Sequence, residues 1–344
     1  MKRILVTGAG GSAGNNFIAS LRLAPEPFYI VGTDTSKYYI KLSKADKNYK
    51  VANWHDKVYI NQLKAIIKEE NIEFIHSQPD PEVMFISENR HLLDVKTLLP
   101  RPITIEIAHD KFWFNQEMEA NKVPCPKSWL VIGKERLKII CQEHRGKKWL
   151  RAIFGAGSLA ALPITKYEQA YMWIEYWKTK GLKWTDFMLS SFLPGKEYAF
   201  QSIWKDGKLI TSAARERIEY LFQSRMPSGQ SSTPTVAKSV HNKQVNQIAT
   251  KGILALDYNP NGIYCVDLKE NYNGVPCITE INVGRFFTTS LFFTKAGCNM
   301  PYYYVKLAYG EEIPKLKQYN AVLENLYWIR QIDCGEKMVK ENEL

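Results

Sequence analysis

The sequence predicts an α/β protein whose C-terminal part becomes α+β. Two observations predict it. Apolar runs alternate with helix-patterned segments through the N-terminal third, which calls for a parallel sheet, with a glycine-rich turn after the first run. From about residue 186, strand-like segments succeed one another with turn signals between them, which calls for antiparallel pairing.

Residues 3–7 (RILVT) form a short apolar strand that runs into glycines, and Phe17, Ile18 and Leu21 then fall at helical spacing. YIVGTD (29–34) and IEFIHS (72–77) read as further buried strands, with an amphipathic helix over 58–70 between them. QPDPEV (78–83) is a loop with a proline placed to start a helix. Residues 109–131 read as a helix, a proline-bounded turn and a strand, and 149–160 as a strand entering a glycine loop. Residues 167–180 form a helix on which Met172, Trp173, Tyr176 and Trp177 are expected to pack into a core. Segments between 186 and 220 read as antiparallel strands, Asp206-Gly207 marking a hairpin. Residues 226–235 read as a mobile polar loop and 242–257 as a helix; 262–269 and 276–283 read as strands joined by ENYNG, and the chain beyond about 300 as helical.

A length of 344 residues suggests two or three packed units, and no apolar stretch approaches a membrane span. Lys2-Arg3 lacks the apolar continuation of an export signal. The six cysteines include no CxxC pair and no zinc spacing, so reduced thiols and a cytoplasmic location are expected. A net charge of +11 favours anionic partners, but Lys and Arg are scattered and no run of five like charges occurs, which disfavours nucleic acid.

The loop TGAGGSAG (7–14), with Asp34 about 20 residues on, has the outline of a dinucleotide site and makes a nicotinamide-dependent Rossmann oxidoreductase one alternative. The Tyr302/Lys306 pair lies too late in the chain to serve a short-chain reductase. The stronger constellation lies further on. Glu280 and Asn282 would share one face of a strand, and Asp267 on a neighbouring strand could oppose them. Three such oxygen ligands suit Mg²⁺. Arg151, on a strand among apolar residues, would need an anion.

The order of Lys111, Arg151 followed by FGAGS, LPGKE ending at Glu197, Asp267, and Glu280-x-Asn282 resembles the ATP-grasp superfamily. Within it the likeness is to the synthetase units of the carbamoyl phosphate synthetase large subunit, from residue 1 to about 312. The resemblance implies an ATP-grasp fold preceded by a Rossmann-like pre-ATP-grasp domain, with units at 1–105, 106–190 (linker helix and lid) and 191–344 (metal and ATP site with a helical tail). It implies an ATP-dependent carboxylate–amine ligase that forms an amide through an acyl phosphate, using ATP and two Mg²⁺ ions on small-molecule acid and amine substrates, in a homodimer. Lys111 and Arg151 would contact the phosphates, and residues 154–158, with Gly155 and Gly157, would fold over them. Ser190 to Phe192 would hold adenine and Glu197 the ribose; Asp267, Glu280 and Asn282 would bind metal; Arg215, Arg217 and Arg285 would hold the γ-phosphate or acyl phosphate. The chain departs from the family pattern at Ala152, where proline is usual, at Ser190, where an acid commonly takes the adenine amino group, and at Gly284, where arginine is usual. These departures motivate a second alternative, a non-catalytic ATP-binding protein.

Overall fold

The computed structural model describes residues 1–344 except 156, 158, 230–233, 332–334 and 344. The chain opens with β1 (Lys2–Thr7), α1 (Ser12–Arg22), β2 (Phe28–Asp34), β3 (Lys47–Lys50), α2 (Tyr59–Glu69), β4 (Phe74–Ser77) and α3 (Asp80–Asn89). These build a parallel four-stranded sheet in the order β3-β2-β1-β4. Each crossover uses a helix or long loop, as parallel pairing requires. The strands are apolar on both faces because both are covered. Leu5, Val31 and Ile75 face a core shared with α2 and α3, while Ile4, Val6 and Ile30 face one shared with α1.

Next come α4 (Pro102–His109), α5 (Lys111–Ala120), β5 (Ser128–Leu130), α6 (Lys134–Glu143), β6 (Lys148–Ala152), β7 (Leu162–Ile164), α7 (Tyr167–Lys178) and β8 (Phe187–Ser191). β5, β8, β6 and β7 form a small antiparallel sheet with its own core. Leu150, Ala152, Phe187 and Leu189 face α6 and α7 there. By strand alternation Trp149, Arg151 and Ser190 take the opposite face.

The remainder is β9 (Glu197–Lys205), β10 (Lys208–Tyr220), β11 (Pro234–Val240), α8 (Lys243–Leu256), β12 (Gly262–Glu270), β13 (Pro276–Val283), α9 (Leu291–Lys295), α10 (Met300–Tyr309), β14 (Leu326–Gln331) and β15 (Gly335–Lys340). The strands make one antiparallel seven-stranded sheet, β13-β12-β9-β10-β11-β14-β15. Asp206 and Gly207 both have positive φ at the expected β9–β10 hairpin, as a type I′ turn demands. One face of this sheet (Tyr198, Phe200, Val266, Leu268) joins the core of α5 and α8. The other (Ala199, Ile203, Ile263, Cys265) joins that of α9 and α10. Both cores run on into the parallel sheet, so the two large sheets are packed as one body.

Several expectations need correction. The tail is not helical: beyond α10 it runs without helix to Asn325 and then pairs as β14–β15. Met172 and Tyr176 are 70% and 51% exposed; α7 buries Ala170 and Ile174 instead, and of the four expected residues Trp173 and Trp177 pack against the small core. The polar loop expected over 226–235 lies partly outside the described residues, and β11 already begins at Pro234. β3 has no apolar period because it is an edge strand with exposed lysines. Five cysteines, Cys125, Cys141, Cys265, Cys277 and Cys298, are free thiols, while Cys334 lies outside the described residues. Among the described residues no helix is long and apolar enough to cross a membrane.

His76 in β4 is fully buried, stacked on Phe17 at 3.8 Å and hydrogen-bonded to Gln78. Burial pushes its imidazole down to about 4 from the usual 6.5. As pH falls through 6.5 the unfolded chain takes up this proton while the fold resists until about 4. Folding stability should therefore decline across that window by about 3 kcal/mol from this group and level off below it. Urea unfolding at pH 7 and pH 4.5 checks this. The drop should shrink by about that amount in His76→Phe, and an equal drop in both proteins would refute the assignment.

Candidate functional site

One face of the seven-stranded sheet carries the chemistry. In the β12–β13 pairing Asp267 lies directly opposite Glu280, and Cys265 opposite Asn282. In the next rows Asp267 pairs with Ala199 of β9, which pairs with Arg215 of β10; Lys269 pairs with Glu197, which pairs with Arg217. Residues paired across strands share a face. The acids at 197, 267 and 280, Asn282 and the arginines at 215 and 217 therefore line one wall. The register slips between Asp267 and Leu268, and the residue gained is Thr279. Its hydroxyl donates to the Asp267 carbonyl at 3.1 Å, and its own carbonyl accepts from Arg151 Nη2 at 3.1 Å. The bulge thus brings the small sheet's arginine against the metal-type strand.

Opposite charges are interleaved here. Arg217 Nη2 donates to Asp267 Oδ1 at 2.5 Å, and Asn282 Nδ2 approaches Asp267 Oδ2 at 3.4 Å. Arg285 donates to Asn282 Oδ1 at 2.5 Å and grips both oxygens of Asp80. Glu197 is held by Lys269 and the Tyr220 hydroxyl. Arg217 turns inward to Asp267. Burial pushes the Asp267 carboxyl up to about 6 despite the arginines, with Glu280 adding to the rise. Burial likewise lowers Arg215 to about 9, aided by Arg217. For Arg217 burial is the largest influence and acts downward, but Asp267, Tyr220 and Glu197 together outweigh it and the net shift is upward. Arg215 is 1% exposed, donates to the Thr289 carbonyl at 3.3 Å, and lies over the rings of Phe287 and Phe293. Among the described residues the Nε atoms of Arg151, Arg215 and Arg217 find no acceptor, an arrangement that an incoming anion would satisfy.

The opposite wall comes from the small sheet and α5. Asp110 caps α5 by accepting from the amides of Phe112 and Trp113, both at 2.9 Å, which fixes the next residue, Lys111. Lys111 Nζ donates to the Ile153 and Gly155 carbonyls at 3.2 and 2.6 Å. Burial lowers its pKa, opposed by Glu280. Ser190 is buried on β8, and Phe192 leans toward Trp149 with ring centroids 6.5 Å apart. Between the walls lies a cavity of about 600 Å³. The ATP- and metal-site residues that the resemblance implies line it: Lys111, Arg151, Gly155, Gly157, Ser190, Phe192, Glu197, Arg215, Arg217, Asp267, Glu280, Asn282 and Arg285. In the loop at 154–158, positions 156 and 158 lie outside the described residues.

The N-terminal glycine loop closes on itself instead. A Cβ at Gly10 would sit 2.1 Å from the Tyr39 carbonyl oxygen, and one at Gly14 2.4 Å from that of Gly8. Both oxygens of Asp34 are engaged, accepting from the amides of Gly10 (3.1 Å) and Ser36 (2.8 Å). The carboxylate that a dinucleotide ribose would need is therefore already a loop brace.

Residues 4–97 match the family model of the PylC-like N-terminal domain. Biotin carboxylase from Campylobacter jejuni, solved with β,γ-ATP, superimposes with a TM-score of 0.73 at 15% identity, covering 95% of this chain and 74% of that one. N5-carboxyaminoimidazole synthetase from Staphylococcus aureus gives a TM-score of 0.71 at 12% identity over 95% and 82% of the two chains. L-amino acid ligase from Bacillus licheniformis gives 0.68 at 11% over 95% and 79%. The chain has the ATP-grasp fold. At these identities the likeness is one of fold. No curated protein matches the sequence.

Within the ATP-grasp frame the N-terminal domain contributes more of the cavity than the sequence suggested. Ala13 at the start of α1 and Gln78, Pro79 and Asp80 at the end of β4 line it. They sit at the carboxyl ends of parallel strands, where open α/β sheets place ligands. That position, with an acid between two prolines at a helix start, was the signal available for Asp80. The departure at Gly284 also has a physical reason. Its φ is +76°, and an added Cβ would lie 2.5 Å from Val83 Cγ1 of α3, so no side chain fits and the arginine is carried one residue later. Gly284→Ala should cost about 2 kcal/mol through the left-handed backbone and this contact. Chemical denaturation measures it, and a loss under about 0.5 kcal/mol, the range of ordinary surface changes, would show that α3 yields there.

Proposed function

We propose that the protein is an ATP-dependent carboxylate–amine ligase that forms an amide through an acyl phosphate. The observation that carries this is the convergence, on one cavity, of an acidic pair with an adjacent amide and of buried arginines whose Nε atoms lack acceptors. The named substances in related folds, β,γ-ATP with biotin carboxylase and MgADP with a 2-oxoglutarate carboxylase domain, support a nucleotide there. The same reading divides the chain at about residues 105 and 190, assigns small-molecule substrates, and pairs two copies in a dimer.

The donor set fits Mg²⁺. Asp267 and Glu280 oppose each other across one rung with Asn282 beside them, all oxygen donors, and too few to replace water and phosphate oxygens. When bound, such ions would neutralise developing charge on the transferred phosphoryl group. In the first step a substrate carboxylate oxygen bonds to the γ-phosphorus, the bridging P–O bond breaks, and ADP leaves. In the second the amine nitrogen bonds to the acyl carbon, phosphate leaves, and the nitrogen's proton departs with it. Lys111 and Arg151 hold the triphosphate from the lid side, and Arg215 and Arg217 face it from the sheet. This is catalysis by positioning and charge, in keeping with phosphoryl transfer. Glu197, fixed by Lys269 and Tyr220, receives the ribose hydroxyls, and Trp149 and Phe192 border adenine beside Ser190. The small sheet, with its own core, acts as the lid that excludes water from the acyl phosphate.

Glu280→Ala should lower acid- and amine-dependent ADP release by roughly 100-fold, the scale of losing one electrostatic element of an active site. Undiminished turnover would refute the metal assignment. Thermal shift should show stabilisation by ATP with Mg²⁺ and none by NADPH, which also separates the oxidoreductase reading. A non-catalytic binder would show the shift without ADP release for any acid and amine.

Metal–nucleotide affinity should also depend on pH. Asp267 must be ionised to bind a cation, and burial pushes its carboxyl up to about 6. Affinity should be level above that value and weaken about tenfold per pH unit below it, by proton competition at one site. Calorimetry at pH 7.5, 6 and 5 follows it, and a flat profile would remove Asp267 from the ligand set.

A further inference from the structure

We infer that Asp80 of the N-terminal domain is a positioning residue that sets the metal-binding strand through Arg285. Three consecutive residues after β13 are fastened to β4 and α3. Gly284 packs against Val83 so closely that a Cβ would overlap it. Arg285 is gripped by both carboxylate oxygens of Asp80, one at 2.9 Å from Nη2. The Phe286 carbonyl accepts from Gln78 Nε2 at 2.9 Å. The same guanidinium that holds Asp80 also donates to Asn282 Oδ1 at 2.5 Å, the oxygen a metal would take. A chain of contacts therefore runs from the N-terminal domain to a metal-type ligand: Asp80, Arg285, Asn282, Asp267.

Charge gives this chain a direction. Both carboxylate oxygens of Asp80 face the Arg285 guanidinium. With Asp80 present, the cation is neutralised on the side away from the metal ligands and oriented by two hydrogen bonds. With Asp80 neutral, the guanidinium has only the metal-site oxygens to balance it, and its charge opposes a divalent cation there. The N-terminal domain thus determines whether Arg285 rests as a neutralised neighbour of Asn282 or competes for the site. This deepens the ligase reading and rests on it only for the metal's place.

The test uses the full chain, Mn²⁺ with ADP as probe, calorimetry and the Mn²⁺ paramagnetic resonance signal. Asp80→Asn should weaken Mn²⁺ binding in the ADP complex about tenfold while leaving metal-free ADP affinity near the parental value. In an Arg285→Gln background the same Asp80→Asn change should have no further effect, because Asp80 acts only through that guanidinium. Parental Mn²⁺ affinity in Asp80→Asn, or an equal loss in both backgrounds, would overturn the inference while leaving the ligase reading standing. Absence of Mn²⁺ binding by the parent chain would overturn both.

Discussion

The Asp267–Arg217 pair is the interaction around which the rest of the site is arranged. It sits mid-sheet, on β12 and β10 with β9 between, on a face that is apolar at one end and open at the other. A carboxylate there is costly, and the rise of Asp267 toward about 6 is the sign of that cost. Arg217 offsets it in the free protein, and Asn282 takes the second oxygen. Among the described residues, however, Arg217 still leaves Nε without an acceptor, as do Arg215 and Arg151. The cavity lining therefore holds more cations than acids and, among the described residues, is short of hydrogen-bond acceptors, which an anion with several oxygens would supply. A phosphate chain carrying its own cation would exchange both partners at once, giving Asp267 a metal and the arginines oxygens.

That balance depends on how three layers meet. The two large sheets share both of their cores, so the parallel sheet cannot shift relative to the seven-stranded one without opening apolar surface. The small sheet shares neither core and touches the site through Arg151 and through Lys111's contacts to the Ile153 and Gly155 carbonyls. A rigid platform thus faces a separately packed flap, and the residues at their junction are cations. Closing that junction on bare arginine and lysine would be repulsive, and an anion between them makes it favourable.

The sequence made the charged face legible for a local reason. Glu-x-Asn on a strand and Asp on its neighbour keep a period of two whatever the wider topology, and β12 and β13 are consecutive strands joined by a short turn. The Asp206-Gly207 hairpin was legible because positive φ at two adjacent positions demands such residues. What was hidden was long-range. The pairing of β14 with β11 joins residues far apart in sequence, although Gly310 at positive φ and Pro314 do mark where α10 ends. Helices α4 and α6 went unread as well, α4 because its ITIEI stretch alternates apolar and polar residues with the period of a strand. The exposure of Met172 and Tyr176 shows the converse failure, where apolar residues at helical spacing face solvent because Ala170 and Ile174 form the packed stripe.

The glycine loop shows how one local pattern supports two different uses. A strand, tight turn and helix with Asp34 nearby fit a dinucleotide site as long as the loop is open. Here the backbone at Tyr39 fills the space above Gly10, and Asp34 braces the turn rather than a ribose. Glycine is then required by close approach of protein to protein, not of protein to phosphate. The neighbouring strand end took the other course: Gln78, Pro79 and Asp80 leave β4 toward the cavity and fasten the residues after β13. The functional contribution of the parallel sheet has thus moved from the end of β1 to the end of β4. The residue that decides it is an aspartate whose partner lies 205 positions away, which no local motif could reveal.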